Sequence, residues 1–191
     1  FAQAEGLRDH ALVVHEPFRQ WVIEDNFPLG CPDWEATGAQ MVGDVRLHEL
    51  MKLRCLNGTH SALAYLGYLA GYETIAESVR DAFFSKFCEK LWYDEILPTI
   101  SQPEGVNLPA YCAELLERYR NPAIQHRTCQ IAMDGSQKLP LRILGTVRDN
   151  LESGYLPTGL CLVIAGWMYY VRGIDRDGQP FDVRDPMFDQ L

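Results

Sequence analysis

The sequence lacks the short patterns that identify several classes of protein. Its 15 glycines never fall in the GxGxxG spacing of a dinucleotide-binding turn. Its 6 cysteines form no CxxC or CxxH pair, so the local ligand spacing of a structural zinc site is missing. No apolar stretch approaches the roughly 20 residues that a membrane-spanning helix needs. These absences predict a chain that binds no metal, contacts no membrane and carries no dinucleotide-binding fold.

Positive charge is also scarce. Lysine and arginine together number 17 against 26 acidic residues, which gives a net charge of −9. A nucleic-acid-binding protein needs a basic surface to neutralise phosphates, so we expect no nucleic-acid partner. Hydrophobic residues make up 47% of the chain, which is enough for a core that needs no disulfides. The cysteines are therefore expected to be mostly buried, reduced thiols of a cytoplasmic protein.

Apolar residues recur at helical spacing along most of the chain. From Asp44 to Gly71 they cover most of the helix circumference, which predicts a long central helix. Leu12–Asp25 mixes β-branched and aromatic residues and predicts an extended segment. Further helices are predicted at Glu73–Asp81, Ala82–Leu97, Leu108–Tyr119, Ile124–Met133, Pro140–Ser153 and Leu156–Val171. The predicted fold is mainly α, a multi-helical domain with a short extended N-terminal segment.

Three polar residues interrupt the apolar pattern of the long helix, in the string MKLRCLNGTHS. On a regular α-helix, Asn57 lies about 140° and His60 about 80° around the axis from Lys52, so all three share one side. Lys52 and His60 are about 12 Å apart along the axis. Gly58 disfavours the helix by up to about 1 kcal/mol relative to alanine, which indicates close approach of another backbone or of a ligand.

These residue types suit the oxidation of a secondary alcohol. A desolvated lysine favours its neutral amine and can act as a general base. An asparagine amide can donate to an oxygen on which charge develops, and a histidine can hold a substrate hydroxyl. The alternative is a solvated Lys52 and a core His60 in a non-catalytic helical interaction domain. Spacing by itself leaves both hypotheses open.

Four strings resemble the mannitol dehydrogenase family of polyol-specific long-chain dehydrogenases, which also includes fructuronate reductase (mannonate oxidoreductase). They are EPFRQWVIED (Glu16–Asp25), MKLRCLNGTHSALAYLGYLAG (Met51–Gly71), RNPAIQH (Arg120–His126) and QIAMDGSQKLPLR (Gln130–Arg142). The resemblance runs over most of the chain, and its KLRxLNGxH core is specific. In this family the lysine of that core is the catalytic base, assisted by its asparagine and histidine, which implies these roles for Lys52, Asn57 and His60.

The resemblance also implies what lies outside the chain. Residues 1–191 would be the C-terminal substrate-binding and catalytic domain of a longer dehydrogenase. An N-terminal Rossmann domain would bind NAD and supply one more asparagine, so this chain would hold no cofactor-binding residues and would be inactive alone. The fold would resemble the helical C-terminal domains of 6-phosphogluconate dehydrogenase-like enzymes. The chemistry would proceed without zinc.

The substrate is an open-chain polyol or sugar acid by the same resemblance, with mannitol/fructose and mannonate/fructuronate as the two pairs. Lys138 lies in a string that faces the substrate in the family and would bind sugar oxygens; the alternative is a solvated turn. Arg127 could bind a substrate carboxylate, since the planar guanidinium fork matches that group. Arg142 lies in the same string as Lys138 and is also predicted to bind substrate, and the three basic residues together favour the sugar acid. An ordinary surface or ion-paired arginine is the alternative for Arg127. The choice between NAD and NADP stays open.

Overall fold

Helical segments make up most of the computed structural model, which describes Gly6, Ala11 and residues 18–191. The predicted mainly α fold is confirmed. The chain divides into an N-terminal unit, Phe1–Val45, and a C-terminal unit, Arg46–Leu191. Within the described residues no helix is long and apolar enough to cross a membrane.

The N-terminal unit contains a short parallel pair of strands. β1 (Val22–Glu24) pairs with β2 (Gln40–Val42), with Ile23 opposite Met41. A 3₁₀ turn at Glu35–Thr37 lies between the strands. The predicted extended segment Leu12–Asp25 therefore contains β1, while its residues 12–17 lie outside the described part of the chain.

The C-terminal unit consists of helices joined by short connections. Its α-helices are α1 (Arg46–Met51), α2 (Thr59–Ala70), α3 (Ile75–Arg80), α4 (Ala82–Lys90), α5 (Leu108–Arg120), α6 (Thr128–Ile131), α7 (Gly135–Leu139), α8 (Gly145–Glu152) and α9 (Thr158–Tyr170). Wider π-helical turns occur at Lys52–Gly58, Leu91–Ile96 and Pro140–Leu144. 3₁₀ turns occur at Leu97–Thr99 and Phe188–Gln190.

α2 is the central helix of this unit, as its apolar circumference predicts. It packs against α3, α6 and α9, and every residue from Thr59 to Tyr65 is buried. The contact with α9 is close, because a Cβ added at Gly166 would lie 2.6 Å from the Leu66 side chain. A helix that is covered on nearly all sides must be apolar on nearly all sides, which is what the leucine pattern shows.

Three predicted helices contain a π turn in the structure. In the helix expected over Ala82–Leu97, α4 is followed by the π turn Leu91–Ile96. The helix expected over Asp44–Gly71 begins at Arg46 and widens into a π turn before α2. The helix expected over Pro140–Ser153 begins earlier, at Gly135, and Pro140 opens a π turn inside it. Proline has no N–H for the regular i→i−4 bond, so a widened turn is a natural place for it.

The predicted helix Ile124–Met133 is much shorter in the structure, where only Thr128–Ile131 is α-helical. Arg127 has an extended backbone (φ −74°, ψ 135°) and forms an antiparallel bridge with Thr74. This bridge connects the start of α6 to the start of α3, so a tertiary contact overrides the local helical pattern.

The six cysteines are unbridged. Cys55, Cys88 and Cys112 are buried, whereas Cys31, Cys129 and Cys161 are exposed, so the prediction that the cysteines are mostly buried is wrong for half of them. A hydrogen bond with Cys112 and burial raise the pKa of the Cys55 thiol, and burial raises the pKa of the Cys88 thiol. These buried thiols behave as small apolar side chains of the core.

The start of α9 depends on a distant carboxyl group. Its N-cap residue Pro157 makes no side-chain cap hydrogen bond. Instead, the fully buried Glu95 accepts hydrogen bonds at 2.7 Å from the backbone N–H groups of both Gly159 and Leu160. Glu95 lies in the π turn Leu91–Ile96, so this contact joins that turn to α9 and satisfies two otherwise orphaned donors.

Replacing Glu95 by alanine should destabilise the protein by about 3 kcal/mol or more, because two buried N–H groups lose their acceptor and a cavity forms. Glu95→Gln retains the size and one acceptor and should cost less. Urea unfolding of the chain at pH 7 measures both, with the exposed Glu89→Ala of α4 as the matched control. A Glu95→Ala protein as stable as this control would contradict the capping role.

Candidate functional site

The segment that carries Lys52 and Asn57 is a π-helical turn, Lys52–Gly58, and His60 lies in the first turn of α2. In a π turn the backbone hydrogen bonds join residues five apart, as they join residues four apart in an α-helix. Lys52 and Asn57 are five apart and are therefore neighbours on one face. Asn57 and His60 are three apart, which is also a neighbouring spacing. The wider turn thus brings Asn57 closer to the face of Lys52 than a regular α-helix does.

Exposure changes along this face. Lys52 is exposed, Asn57 is half-buried and His60 is 9% exposed. Neither Lys52 nor Asn57 has a side-chain hydrogen bond or ion pair with any described residue. Their polar groups are consequently available to a bound molecule, and the buried His60 follows Asn57 by three residues.

Aromatic side chains from two other helical segments hold the π turn from outside. The indole of Trp92 donates to the Cys55 carbonyl oxygen at 2.9 Å, and the Tyr119 hydroxyl donates to the Leu56 carbonyl oxygen at 2.7 Å. Trp92 is fully buried and its ring stacks beside that of Tyr119. These donors satisfy carbonyls at the point where the regular helical hydrogen bonding is interrupted.

Arg54 anchors the same turn electrostatically. Its side chain is buried, and it donates to the Thr99 hydroxyl at 2.7 Å and to the Thr99 carbonyl at 3.1 Å. Its other terminal nitrogen forms an ion pair with Asp149 at 2.5 Å. Asp149 belongs to α8, so this contact links the turn that carries Lys52 and Asn57 to a helix nearly a hundred residues away in sequence.

Gly58 permits the closest backbone contact of the site. A Cβ added there would lie 2.9 Å from the Arg142 backbone oxygen. Its φ of −62° is ordinary for a helix, so the glycine is required for space and not for conformational freedom. The close approach expected from Gly58 is therefore a backbone contact, and it places the turn Pro140–Leu144 directly against Asn57–Gly58.

The ring of His60 packs between two aromatic rings. Tyr119 stacks on it at a centroid distance of 5.4 Å, and His126 lies at 5.2 Å. Burial, which is the largest cause, and the neighbouring His126, Arg142, Lys138 and Arg118 together lower the pKa of His60 to about 3. His60 is therefore a neutral imidazole near pH 7, and its buried Nε2 has no partner among the described residues.

Lys138 and Arg142 form a basic wall beside His60. Lys138 is half-buried, and its ammonium donates to the Met133 carbonyl at 2.6 Å and lies 3.6 Å from a carboxylate oxygen of Asp134. Arg142 is half-buried and donates to the Ser61 hydroxyl at 3.1 Å. Two of the three predicted substrate-binding residues thus lie near the predicted catalytic histidine.

The third, Arg127, has a different environment. Its exposed side chain lines a cavity of about 420 Å³ together with Tyr68, Gly71 and Arg176, and a neighbouring cavity of about 490 Å³. It is not among the charged groups that lower the pKa of His60. The structure therefore places Lys138 and Arg142 near His60, and it places Arg127 at the two cavities described above.

Sequence reasoning did not assign Tyr119, His126 or Arg118 to the site. His126 ends the RNPAIQH string, but its approach to His60 depends on the turn between α5 and α6. Tyr119 follows the ordinary apolar spacing of a core position on α5, so its role at Leu56 has no local signature. Among the described residues no group of three or more His, Cys, Asp or Glu side chains could hold a metal ion.

Gly58→Ala should destabilise the protein by about 1–3 kcal/mol, because the new methyl group overlaps a backbone oxygen that cannot move alone. Gly145→Ala is the matched control: its Cβ would meet only ordinary contacts, 3.7 Å from Arg54. That control should gain up to about 1 kcal/mol from helix propensity. Chemical denaturation distinguishes the two, and equal stabilities would argue against the close contact.

His60 should make stability depend on pH. Its folded pKa of about 3 lies below the unfolded value of 6.5, so the unfolded state binds more protons between these limits. Stability should therefore fall by about 3 kcal/mol from pH 7 to pH 4 through this group. Urea unfolding of wild type and His60→Gln across this range measures the difference, with exposed Lys86→Gln as the control. A difference that does not change with pH would contradict the buried neutral state.

The comparisons with known proteins agree on one family. A family model described as the mannitol dehydrogenase C-terminal domain matches residues 44–191. The D-mannonate oxidoreductase of Escherichia coli (strain K12) is 55% identical over 182 residues, which cover 95% of this chain and 37% of that protein.

Solved structures show the same relationship. The Pseudomonas fluorescens mannitol 2-dehydrogenase, in a ternary complex with NAD and D-mannitol, matches with a TM-score of 0.86 at 35% identity over 92% of this chain and 36% of its own. A D-sorbitol dehydrogenase in substrate-free form matches with a TM-score of 0.89 at 33% identity over 97% of this chain and 38% of its own. The chain spans little more than a third of the length of these relatives. It belongs to the mannitol dehydrogenase family, with residues 44–191 corresponding to that family's C-terminal domain.

Proposed function

We propose that this chain is the C-terminal substrate-binding and catalytic domain of an NAD-dependent oxidoreductase in the cytoplasm. The reaction interconverts a secondary alcohol and a ketone on an open-chain polyol or sugar acid. The observation that carries this proposal is the π turn that presents Lys52 and Asn57, without partners of their own, beside the neutral His60 and the basic wall. The names of the relatives include mannonate and mannitol, which supports a substrate of one of these two kinds.

Lys52 is the proposed general base. In its amine form, Nζ accepts the proton of the reacting hydroxyl group as the carbonyl forms, and returns it in the reverse direction. Its exposed position leaves one side open to substrate and to the rest of the longer protein. Closing that side would remove water and favour the neutral amine. This assigns proton removal to a side chain and not to a zinc-bound water.

Asn57 and His60 have distinct roles in this proposal. The Asn57 amide donates a hydrogen bond to the reacting oxygen, where negative charge develops when the proton leaves. His60 is neutral at the working pH, so it orients a substrate hydroxyl by hydrogen bonding and does not deliver a proton. Lys138 would bind a further sugar oxygen beside it. Arg127 would contact substrate only if the substrate extended toward the cavities that it lines.

The residues of this chain do not fit a dinucleotide. A dinucleotide cradle needs a glycine-rich turn between a strand and a helix, and the described strands β1 and β2 are followed by no such turn. The NAD that accepts the hydride would be held by an N-terminal Rossmann domain of the longer protein. The residues described above therefore act on the substrate and its proton.

A non-catalytic helical interaction domain is the second candidate. The exposed Lys52 favours it, because solvated lysines are common on helices. So does the outer face of α9, where Leu162, Met168 and Tyr169 are 46%, 59% and 45% exposed. Turnover that depends on Lys52 would exclude this candidate.

Replacing Lys52 by methionine in the full-length protein should lower kcat by at least about 10²–10⁴-fold, since the general base is lost while the side-chain volume is kept. KM should change little if Lys52 acts in the chemical step. NAD reduction with D-mannitol and with D-mannonate measures both constants. Lys86→Met, at an exposed position of α4, controls for the loss of a lysine. Near-normal turnover of Lys52→Met would refute the catalytic assignment.

A further inference from the structure

Arg142 is a half-buried cation to which the described residues provide no carboxylate. Its one side-chain hydrogen bond in the structure goes to the neutral Ser61 hydroxyl at 3.1 Å. Burial lowers its pKa, and the other groups that act on it are the phenols of Tyr65 and Tyr119. A guanidinium that loses water without gaining an anion is destabilised, unless an anion binds from outside.

Arg54 is a buried arginine in the same region, and its contacts show how the fold satisfies a guanidinium that has a structural role. Arg54 has Asp149 at 2.5 Å and both oxygens of Thr99 within hydrogen-bonding distance. Both terminal nitrogens of Arg54 are thus used by the fold, and one of them has a carboxylate partner. Arg142 lies on the next segment against the same π turn, and it receives a single hydroxyl. The contrast with Arg54 indicates that the guanidinium of Arg142 is available to bind an anionic ligand.

The surroundings of Arg142 favour an anion. The arginine and lysine side chains that act on His60 are Arg142, Lys138 and Arg118, and no carboxylate of a described residue acts with them. Lys138 is partly balanced by Asp134 at 3.6 Å and by the Met133 carbonyl. Arg118 has interactions of its own. Arg142 is therefore the cation near His60 whose positive charge is least compensated by neighbouring groups.

Arg142 also lies next to the segment that carries the residues proposed for the reaction. Its backbone oxygen contacts the position of Gly58, next to Asn57, and its side chain reaches Ser61, next to His60. A substrate whose reacting carbon lies at Lys52 and Asn57 would extend along His60 toward this guanidinium. A planar fork of donors matches the two oxygens of a carboxylate, whereas a terminal hydroxyl can use only part of it.

We propose that Arg142 binds the carboxylate of the substrate, and that it makes the site selective for a sugar acid over the neutral polyol of the same length. This inference rests on the proposed function, since it assigns one end of the substrate of that same reaction. Arg142 is a specificity-determining residue and does not take part in the proton transfer. The selective group is a single charged side chain on the turn Pro140–Leu144.

The test is a double-mutant-type cycle in the full-length enzyme, in which the Arg142 guanidinium and the substrate carboxylate are removed separately and together. kcat/KM is measured with D-mannonate, with its carboxamide and with D-mannitol, for wild type, Arg142→Met and Arg142→Lys. Wild type should prefer the acid to the amide by about 10²-fold, the loss expected when one partner of a desolvated charge pair is removed. In Arg142→Met this preference should vanish, mainly through a higher KM for the acid.

Arg142→Lys keeps the charge and loses the fork, so it should retain a small part of the preference. Arg148→Met, an exposed arginine of α8, should leave the preference unchanged. The acid-to-amide ratio of the wild type needs no variant, so a misfolded Arg142→Met would still leave the selectivity testable. Equal use of acid and amide by the wild type, or a preference that survives in a folded Arg142→Met, would overturn the proposal. A wild type that oxidises none of the three compounds would instead refute the proposed function.

Discussion

The site depends on one local departure from regular helix geometry, the π turn Lys52–Gly58. A wider turn leaves carbonyl groups without their regular α-helical partners, and the fold supplies donors from outside at Cys55 and Leu56 through Trp92 and Tyr119. The buried Arg54 fixes the same turn to α8. Because these contacts come from three different helical segments, the turn is held by the whole C-terminal unit. The neighbouring positions of Lys52 and Asn57 follow from it.

Charge is distributed unevenly in this protein. The chain has a net charge of −9, yet the arginine and lysine side chains that act on His60 bring only positive charge. Burial and this field together keep His60 neutral, so the imidazole contributes hydrogen bonding and shape at neutral pH. A local cationic pocket in an acidic protein attracts small anions without attracting nucleic acid, since nucleic acid requires a basic surface of much larger extent.

In the proposed enzyme, the C-terminal unit carries one side of the active site. Its proposed substrate-binding groups are positioned by packed helices, which are more rigid supports than loops. Lys52 is exposed at the open side of this arrangement, and the chain spans little more than a third of the length of its relatives. In the proposed enzyme a second domain closes the open side. A division of this kind lets one domain fix the substrate while another holds the cofactor.

The helical content and the central apolar helix were predictable from the sequence, because apolar periodicity is a local property of the chain. The family was predictable from the strings around Lys52 and Lys138, and the structural and sequence comparisons confirm it. The roles of Lys52, Asn57 and His60 in catalysis stay predictions, as do those of Lys138, Arg127 and Arg142 in substrate binding.

The π turns were not predictable, because a widening by one residue barely changes the apolar pattern and is stabilised by donors 37 and 63 residues away in the chain. The same limit applies to the arginines. The extended backbone at Arg127 directs it to other cavities, whereas the close contact at Gly58 brings Arg142 to the site. The sequence by itself determined the helical content of the chain and the position of its central apolar helix. Only the tertiary structure decided which charged side chains meet, since that depends on packing between segments that are distant in sequence.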